Sequence, residues 1–170
     1  MAVILYSKFT ITHLYHFTDV RNIPSIKKFG LLSHAELQRQ SVEVAAPGGN
    51  DWSHEEDQRR GLDEYVHLCF FDQHPMEYIA KKDGHIVETT FLKVSPEILK
   101  NSELRFTGEV ANKSGSKLLT LEQAVDLLDF EVIGTRTDWR DSAIQQRLKA
   151  AKKYEVLVPK AIPANMISFT

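Results

Sequence analysis

Residues 14–33, LYHFTDVRNIPSIKKFGLLS, combine a strand-like segment, a polar turn and a helix-like segment. The strand-like segment begins further upstream, because residues 9–17, FTITHLYHF, alternate β-branched or aromatic residues with other residues. We predict that this strand stops at Thr18 and Asp19. Polar side chains at the end of a strand lie where a rigid scaffold meets its loops, and binding sites are commonly built there.

The second half of this stretch has the pattern of a short helix over residues 22–29. Apolar side chains recur at helical spacing, Pro24 suits the first turn, and Gly30 follows as a C-cap. A further helix of one or two turns is predicted from Ser33, as its N-cap, to about Arg39. The chain therefore changes from strand to helix over a short distance.

The rest of the chain alternates irregularly between short strands and short helices. Residues 41–63 show no periodicity, and loops of that length are usually functional or disordered. Because no regular β-α-β rhythm emerges, we predict an α+β domain rather than a doubly wound parallel sheet. The predicted strands are 65–71, 85–94, 104–107, 154–158 and 166–169, and the predicted helices begin at Pro75 or span 121–130 and 141–153.

The composition indicates one intracellular domain. A length of 170 residues is close to the common size of a domain, so we expect residues 1–170 to form one domain. The net charge of -2 gives no overall attraction to nucleic acid or anionic membrane, so a nucleic-acid site must be a local patch. Cys69 is the only cysteine, and no apolar run approaches the roughly 18 residues of a membrane helix. We expect a cytoplasmic protein that does not associate with membranes.

The sequence lacks the motifs of metal, phosphate-loop and nucleophile sites. His13 and His16 lie on one predicted strand and point to opposite faces, so they cannot chelate one ion together. The acidic segment around His54 contains neither HExxH nor an EF-hand pattern, and there is no P-loop or GxSxG motif. Cys69, within an apolar strand, is expected to be a buried and inert thiol. We therefore expect no metal site.

Polar residues near the ends of predicted strands form the remaining candidate site. Each alone has an ordinary structural explanation, as a hydrogen-bonded histidine, a helix cap, a solvated arginine pair or a carboxylate that faces water. A functional interpretation is favoured only when these residues are considered together, in their order along the chain. They are His16, Thr18, Asp19, Asn22, Arg59, Arg60 and Glu155.

Three blocks of the sequence together resemble the DarT family, NAD-dependent toxins that ADP-ribosylate single-stranded DNA. Residues 14–33 resemble the family's opening motif, where a strand ending in Tyr-His-x-Thr precedes a short helix that closes on Gly and Leu-Leu. Residues 58–78, QRRGLDEYVHLCFFDQHPMEY, resemble its arginine-bearing loop, strand and Ser-Pro-Met helix start, with His-Pro-Met in that last place. Residues 147–163, RLKAAKKYEVLVPKAIP, resemble its terminal block, where a Glu opens a strand. The resemblance implies an ADP-ribosyltransferase-like fold, with a split antiparallel or mixed sheet flanked by short helices.

Position by position, the resemblance implies catalytic roles for Glu155, Arg60 and His16. Cleavage of the nicotinamide–ribose bond develops positive charge at the anomeric carbon, which a carboxylate at Glu155 would stabilise. The same carboxylate would take a proton from the incoming nucleophile. Arg60, or its neighbour Arg59, would meet the pyrophosphate with a planar fork of donors. His16 would donate a hydrogen bond to the ribose from one ring nitrogen while the other is anchored.

The resemblance also implies a pocket for NAD as co-substrate. Where family members often have a further aromatic residue, this chain has Cys69, so stacking on nicotinamide would fall to Phe70, Phe71 or Tyr78. Met76 would pack near nicotinamide. The implied NAD-binding residues are His16, Thr18, Asn22, Leu32, Arg59, Arg60, Phe71 and Met76.

The implied function is a mono-ADP-ribosyltransferase that moves ADP-ribose from NAD to a base in single-stranded DNA, as a toxin or antiphage effector. The alternatives are transfer to RNA or protein, hydrolysis of NAD and, more remotely, an inactive nucleotide-binding module. Basic residues between Arg136 and Lys153 would track a phosphate backbone, or form a solvated helix face. Trp52 or Trp139 would stack on a base, or pack elsewhere. The implied partners are single-stranded DNA and an antitoxin with a macrodomain.

Overall fold

A six-stranded antiparallel sheet forms the centre of the computed structural model, which describes residues 9–45, 58, 60–84, 88–111 and 113–169. The strands are β1 (Leu14–Asp19), β2 (Leu31–Leu32), β3 (Tyr65–Cys69), β4 (Thr89–Val94), β5 (Arg105–Thr107), β6 (Glu155–Pro159), β7 (Ala161–Ile162) and β8 (Ile167–Ser168). The main sheet has the order β5-β6-β3-β1-β4-β8, and β2 pairs with β7 in a second, two-stranded sheet. Each pairing between the described strands is antiparallel.

Short helices connect these strands, and most begin at a side chain that accepts a hydrogen bond from a first-turn N–H group. Ser33 is an N-cap, as the sequence predicted, and Thr120 is the N-cap of a later helix. The α-helices are α1 (Ile23–Phe29), α2 (His34–Arg39), α3 (Pro75–Lys82), α4 (Leu121–Leu127), α5 (Phe130–Gly134) and α6 (Ser142–Ala151). Short 3-10 helices occupy Val20–Asn22, Leu62–Glu64, Pro96–Lys100 and Ala164–Met166. The α+β prediction is confirmed.

Several predicted element boundaries were wrong, and two of them show why. The first strand begins at Leu14 rather than residue 9, and it continues through Asp19, because its ladder with β4 runs from Leu14↔Val94 to Asp19↔Thr89. The predicted helix 121–130 is two helices, because Leu128 is extended and Asp129 then caps α5. Long-range pairing and a local cap, rather than the periodicity of the segment, set these boundaries.

The core is built around aromatic side chains that the sheet and the later helices share. Phe130 packs against Phe9, Phe70 and Phe106, with ring centroids 6.1, 5.6 and 6.4 Å away. Phe70 and Phe106 are almost fully buried. Phe70 therefore belongs to the core. Among the described residues, no helix combines the length and apolar character needed to cross a membrane.

Candidate active site

A pocket that is partly open to solvent lies beside β1, β3 and the first residue of β6. α1, β2 and the start of α3 contribute further walls. Six of the residues singled out from the sequence meet there, although they are far apart along the chain. They are His16, Thr18, Asn22, Leu32, Met76 and Glu155.

Glu155 is the buried carboxylate of this pocket, with 5% of its surface exposed. It pairs with Cys69 of β3 on one side and with Thr107 of β5 on the other, so it lies on an interior strand. The alternative that this carboxylate faces water was wrong. The N–H of Ala111 donates a hydrogen bond to Oε2 of Glu155.

Glu155 is ionised in spite of its burial. Burial by itself raises the pKa of this carboxyl, but the nearby His67 and His74 rings and the Ala111 N–H together hold the pKa below its ordinary range. A buried carboxylate that stays charged can stabilise a positive charge that develops beside it.

Two histidines that the sequence analysis did not assign to the site lie next to this carboxylate. Nδ1 of His67 is 3.8 Å, and Nε2 of His74 is 3.5 Å, from Oε1 of Glu155. His67 lies two residues before Cys69, the partner of Glu155, and therefore on the same face of the sheet. Knowledge that β3 pairs with β6 would have identified His67 as a neighbour of Glu155. The sequence of neither strand shows which strand it pairs with.

His16 is anchored by a backbone carbonyl, which determines what its ring can offer a ligand. Nδ1 of His16 lies 2.9 Å from the carbonyl oxygen of His67 and donates to it. Burial lowers the pKa of His16 to about 4, so the ring is neutral and its one proton is on Nδ1. Nε2 can then only accept a hydrogen bond. The expectation that His16 donates a hydrogen bond to a ribose is therefore corrected, because the one proton of the neutral ring is already directed at the His67 carbonyl.

Asn22 is buried, and its side chain holds the segment that ends at Ala45 against the pocket. Its Nδ2 donates to Oγ1 of Thr18 at 3.2 Å and to the carbonyl of Ala45 at 2.7 Å. The N–H of Ala45 returns a hydrogen bond of 2.7 Å to Oδ1 of Asn22. As the N-cap of α1, Asn22 makes no side-chain cap bond. Its amide therefore holds the pocket wall rather than the helix end.

Comparison with known proteins identifies the family. The model of the family described as "ssDNA thymidine ADP-ribosyltransferase, DarT" matches residues 15–169. The chain belongs to the DarT family. The DNA ADP-ribosyl transferase-DNA ADP-ribosyl glycohydrolase fusion protein of Thermosipho africanus (strain H17ap60334) is 27% identical over 161 residues, which are 91% of this chain and 41% of that protein. The chain thus spans less than half the length of that DarT relative.

Solved DarT structures share the fold. Thermosipho africanus DarTG in complex with ADP-ribose matches with a TM-score of 0.69 at 23% identity, over 92% of this chain and 43% of that one. Thermus sp. 2.9 DarT in complex with ADP-ribosylated ssDNA matches with a TM-score of 0.68 at 23% identity, over 93% of this chain and 79% of that one. The same Thermus protein in complex with NAD+ matches with a TM-score of 0.59 at 22% identity, over 93% of this chain and 80% of that one.

The arginine carried over from the DarT pattern lies outside the pocket lining. The guanidinium of Arg60 donates to the carbonyls of Ala111, Lys113 and Ser116. It therefore organises the loop whose Ala111 N–H holds Glu155, and its hydrogen bonds in this structure are made to protein carbonyls. Arg59 lies outside the described residues.

The aromatic residues proposed to stack on nicotinamide are also absent from the described lining. Phe70 is in the core, Phe71 packs against the core, and Tyr78 is 68% exposed on α3. Cys69 does line the pocket, and burial raises the pKa of its thiol, as expected for an inert cysteine. The aromatic side chains that do face the pocket include Phe17 of β1, which the sequence analysis did not select.

The expected basic surface is partly neutralised. Arg147 pairs with Asp129 and Glu131, at 2.5 and 2.9 Å. Trp139 is 65% exposed, with the guanidinium of Arg140 5.6 Å from its ring. Trp52 lies outside the described residues. Arg147 thus helps to hold α5 and α6 together.

Proposed function

We propose that this DarT-family protein transfers ADP-ribose from NAD to thymidine in single-stranded DNA. The observation that carries the proposal is the buried, ionised Glu155 in a pocket that also holds His16. The description of the family and the ligands of its solved members support both the donor and the acceptor.

In the proposed reaction, the bond between the ribose anomeric carbon and nicotinamide breaks, and its electron pair leaves with nicotinamide. Glu155 stabilises the positive charge that develops on the ribose. A bond then forms between the anomeric carbon and the acceptor base, and Glu155 takes the proton that the base loses. Nε2 of His16 accepts a hydrogen bond from a ribose hydroxyl and so orients the sugar.

The diphosphate of NAD requires a cation that the described lining does not provide. Arg and Lys are absent from the described residues around the pocket. Arg60 is engaged with three carbonyls, so we assign the diphosphate to its sequence neighbour Arg59, the alternative that the family resemblance implies. Thr18, Asn22, Leu32 and Met76 line the NAD pocket, with Phe71 supporting it from the core.

The biological setting follows from the same proposal. Residues 1–170 act as one transferase domain in the cytoplasm, where both NAD and DNA are available. The Thermosipho relative joins a DNA ADP-ribosyl transferase to a DNA ADP-ribosyl glycohydrolase. We therefore assign this protein a partner with a macrodomain that removes the modification and acts as its antitoxin.

The test follows the label of adenine-labelled NAD into single-stranded DNA that contains thymidine, with RNA and protein offered in parallel. Glu155→Gln keeps an oxygen for the Ala111 N–H and removes the charge, so we expect label and nicotinamide release to fall by about a hundredfold or more. Glu97→Gln is the matched control, because Glu97 is half-exposed, pairs with Lys100 and lies outside the pocket lining. Glu97→Gln should melt at the temperature of the wild type, and Glu155→Gln should remain folded at the temperature of the assay.

Each outcome has a distinct meaning. Label on DNA that is lost in Glu155→Gln supports the proposal, and thymidine-free DNA should then remain unlabelled. Label on RNA or protein replaces the acceptor, and nicotinamide release without label indicates NAD hydrolysis. A folded wild-type protein that neither transfers label nor releases nicotinamide would be a nucleotide-binding module, and the proposal would be wrong.

A further inference from the structure

We propose that His74 is a positioning residue for Glu155, which donates a hydrogen bond from Nε2 to Oε1 of the carboxylate during ADP-ribose transfer. This inference rests on the proposed function and deepens it. His74 directly precedes α3, and 6% of its surface is exposed. Its burial next to the reactive carboxylate requires a chemical explanation.

The helix cap determines which nitrogen of His74 carries the proton. The N–H of Met76 donates to Nδ1 of His74 at 3.2 Å, so Nδ1 accepts and has no proton. Burial lowers the pKa of His74, although the charge of Glu155 opposes this effect, so the ring is neutral. A neutral ring with a bare Nδ1 must have its proton on Nε2. The cap thus makes Nε2 a donor.

That donor is buried and lacks a hydrogen bond to any described residue. It lies 3.5 Å from Oε1 of Glu155, which is longer than an ordinary N–H···O bond. A buried unsatisfied donor is costly and therefore rare. Hydrogen bonds at active sites are often long in the free enzyme and tighten once substrate is bound. We infer that this contact shortens when Glu155 meets the developing charge.

The ring is held in place by its neighbours. Phe17 of β1 stacks on it, with centroids 6.2 Å apart and planes 23° apart. Because Oε2 of Glu155 already accepts a hydrogen bond from the Ala111 N–H, Oε1 is the oxygen to which His74 can donate. The other titratable groups that act on this pair are His67 and Cys69 of β3, together with Glu77 of α3. His74 is therefore one of several groups that act on the charge of Glu155, and the one fixed by a helix cap.

The kinetic test separates this role from helix capping. His74→Ser keeps a cap oxygen for the Met76 N–H and removes the Nε2 donor. We expect kcat to fall about tenfold at pH 7.5, the KM for NAD to change less than about twofold, and the acidic limb of the kcat profile to move to higher pH. In His74→Gln, whose amide extends toward Glu155, the acidic limb of the kcat profile should lie closer to its wild-type pH. His13→Ser, at an exposed histidine outside the pocket lining, is the control and should match the wild type. An unchanged kcat and acidic limb in His74→Ser would overturn the proposal.

A second measurement requires neither NAD nor an acceptor. NMR titration of the His74 ring in the wild type and in Glu155→Gln reports their coupling directly. Loss of the Glu155 charge should lower the pKa of His74 further, and an Nε2–H signal should be present at neutral pH. An identical titration in both proteins, or a proton on Nδ1, would contradict the proposal even if His74→Ser failed to fold. Coupling without any transferase activity would count against the proposed function instead.

Discussion

The direction of a single hydrogen bond decides what His16 can contribute to the site. Its residue type and its place after Tyr15 were visible in the sequence, but the partner of Nδ1 was not. The carbonyl of His67, 51 positions away, accepts from Nδ1 and leaves Nε2 as an acceptor. His16 lines the pocket, and its anchored ring leaves Nε2 able only to accept a hydrogen bond.

His16→Asn tests this role. The Asn amide can still donate to the His67 carbonyl, but it has no group in the place of Nε2. Loss of one hydrogen bond to a ribose hydroxyl is expected to weaken NAD binding by about 1 kcal/mol, or about fivefold. Calorimetry or KM measurements would detect this change, with His13→Asn as a control that should bind NAD normally. A normal affinity in His16→Asn would exclude the contact.

At the scale of elements, Gly30 allows α1 and the two-stranded sheet to meet at the pocket wall. It has φ 78° and ψ -174°, a conformation that is essentially limited to glycine. A Cβ at this position would lie 2.3 Å from the carbonyl oxygen of Ile162, the residue that pairs with Leu31. The sequence predicted Gly30 as a helix cap but did not reveal this close approach.

Gly30→Ala should therefore cost more than an ordinary glycine substitution. Backbone strain of about 1–3 kcal/mol and a clash with backbone act together, so we expect the free energy of unfolding to fall by about 3 kcal/mol or more. Gly84→Ala is the matched control, since Gly84 also has a positive φ, of 71°, but nothing lies within 4 Å of its added Cβ. Urea unfolding of both variants measures the difference. Equal losses would show that the contact with Ile162 is unimportant.

The loop after β5 is a second element whose role only the fold explains. Arg60 holds its carbonyls, and its Ala111 N–H holds Glu155. The family resemblance implied that Arg60, or its neighbour Arg59, binds the pyrophosphate, a chemistry that an arginine suits. Its hydrogen bonds to Lys113 and Ser116 cross more than 50 positions of sequence, which local patterns do not encode.

For the whole molecule, the buried site makes stability depend on pH. His16 changes from an ordinary pKa of 6.5 to about 4 on folding, so the unfolded state binds more protons between these values. The pKa of His74 is also lowered, chiefly by burial. Glu155, whose pKa is lowered as well, contributes stability above the ordinary carboxyl range that is lost at still lower pH. All three effects have the same sign, and the protein should lose stability as the pH falls.

Urea unfolding at pH 7.5, 6 and 5 measures this dependence. We expect the free energy of unfolding to decrease below about pH 6.5, with His16 contributing on the order of 1–2 kcal/mol by pH 5. His16→Asn removes one titrating group, so its stability should change less over the same interval. A pH dependence identical to that of the wild type would show that His16 is not buried in the neutral form.

The sequence by itself determined the local elements and the family. Polar caps such as Ser33 and Thr120, the strand that Glu155 opens and the three DarT-like blocks depend on residues close together in the chain. Only the tertiary structure decided which groups surround Glu155. His67, His74 and the Ala111 N–H reach that carboxylate through strand register and loop closure. These are long-range contacts whose geometry no single segment specifies.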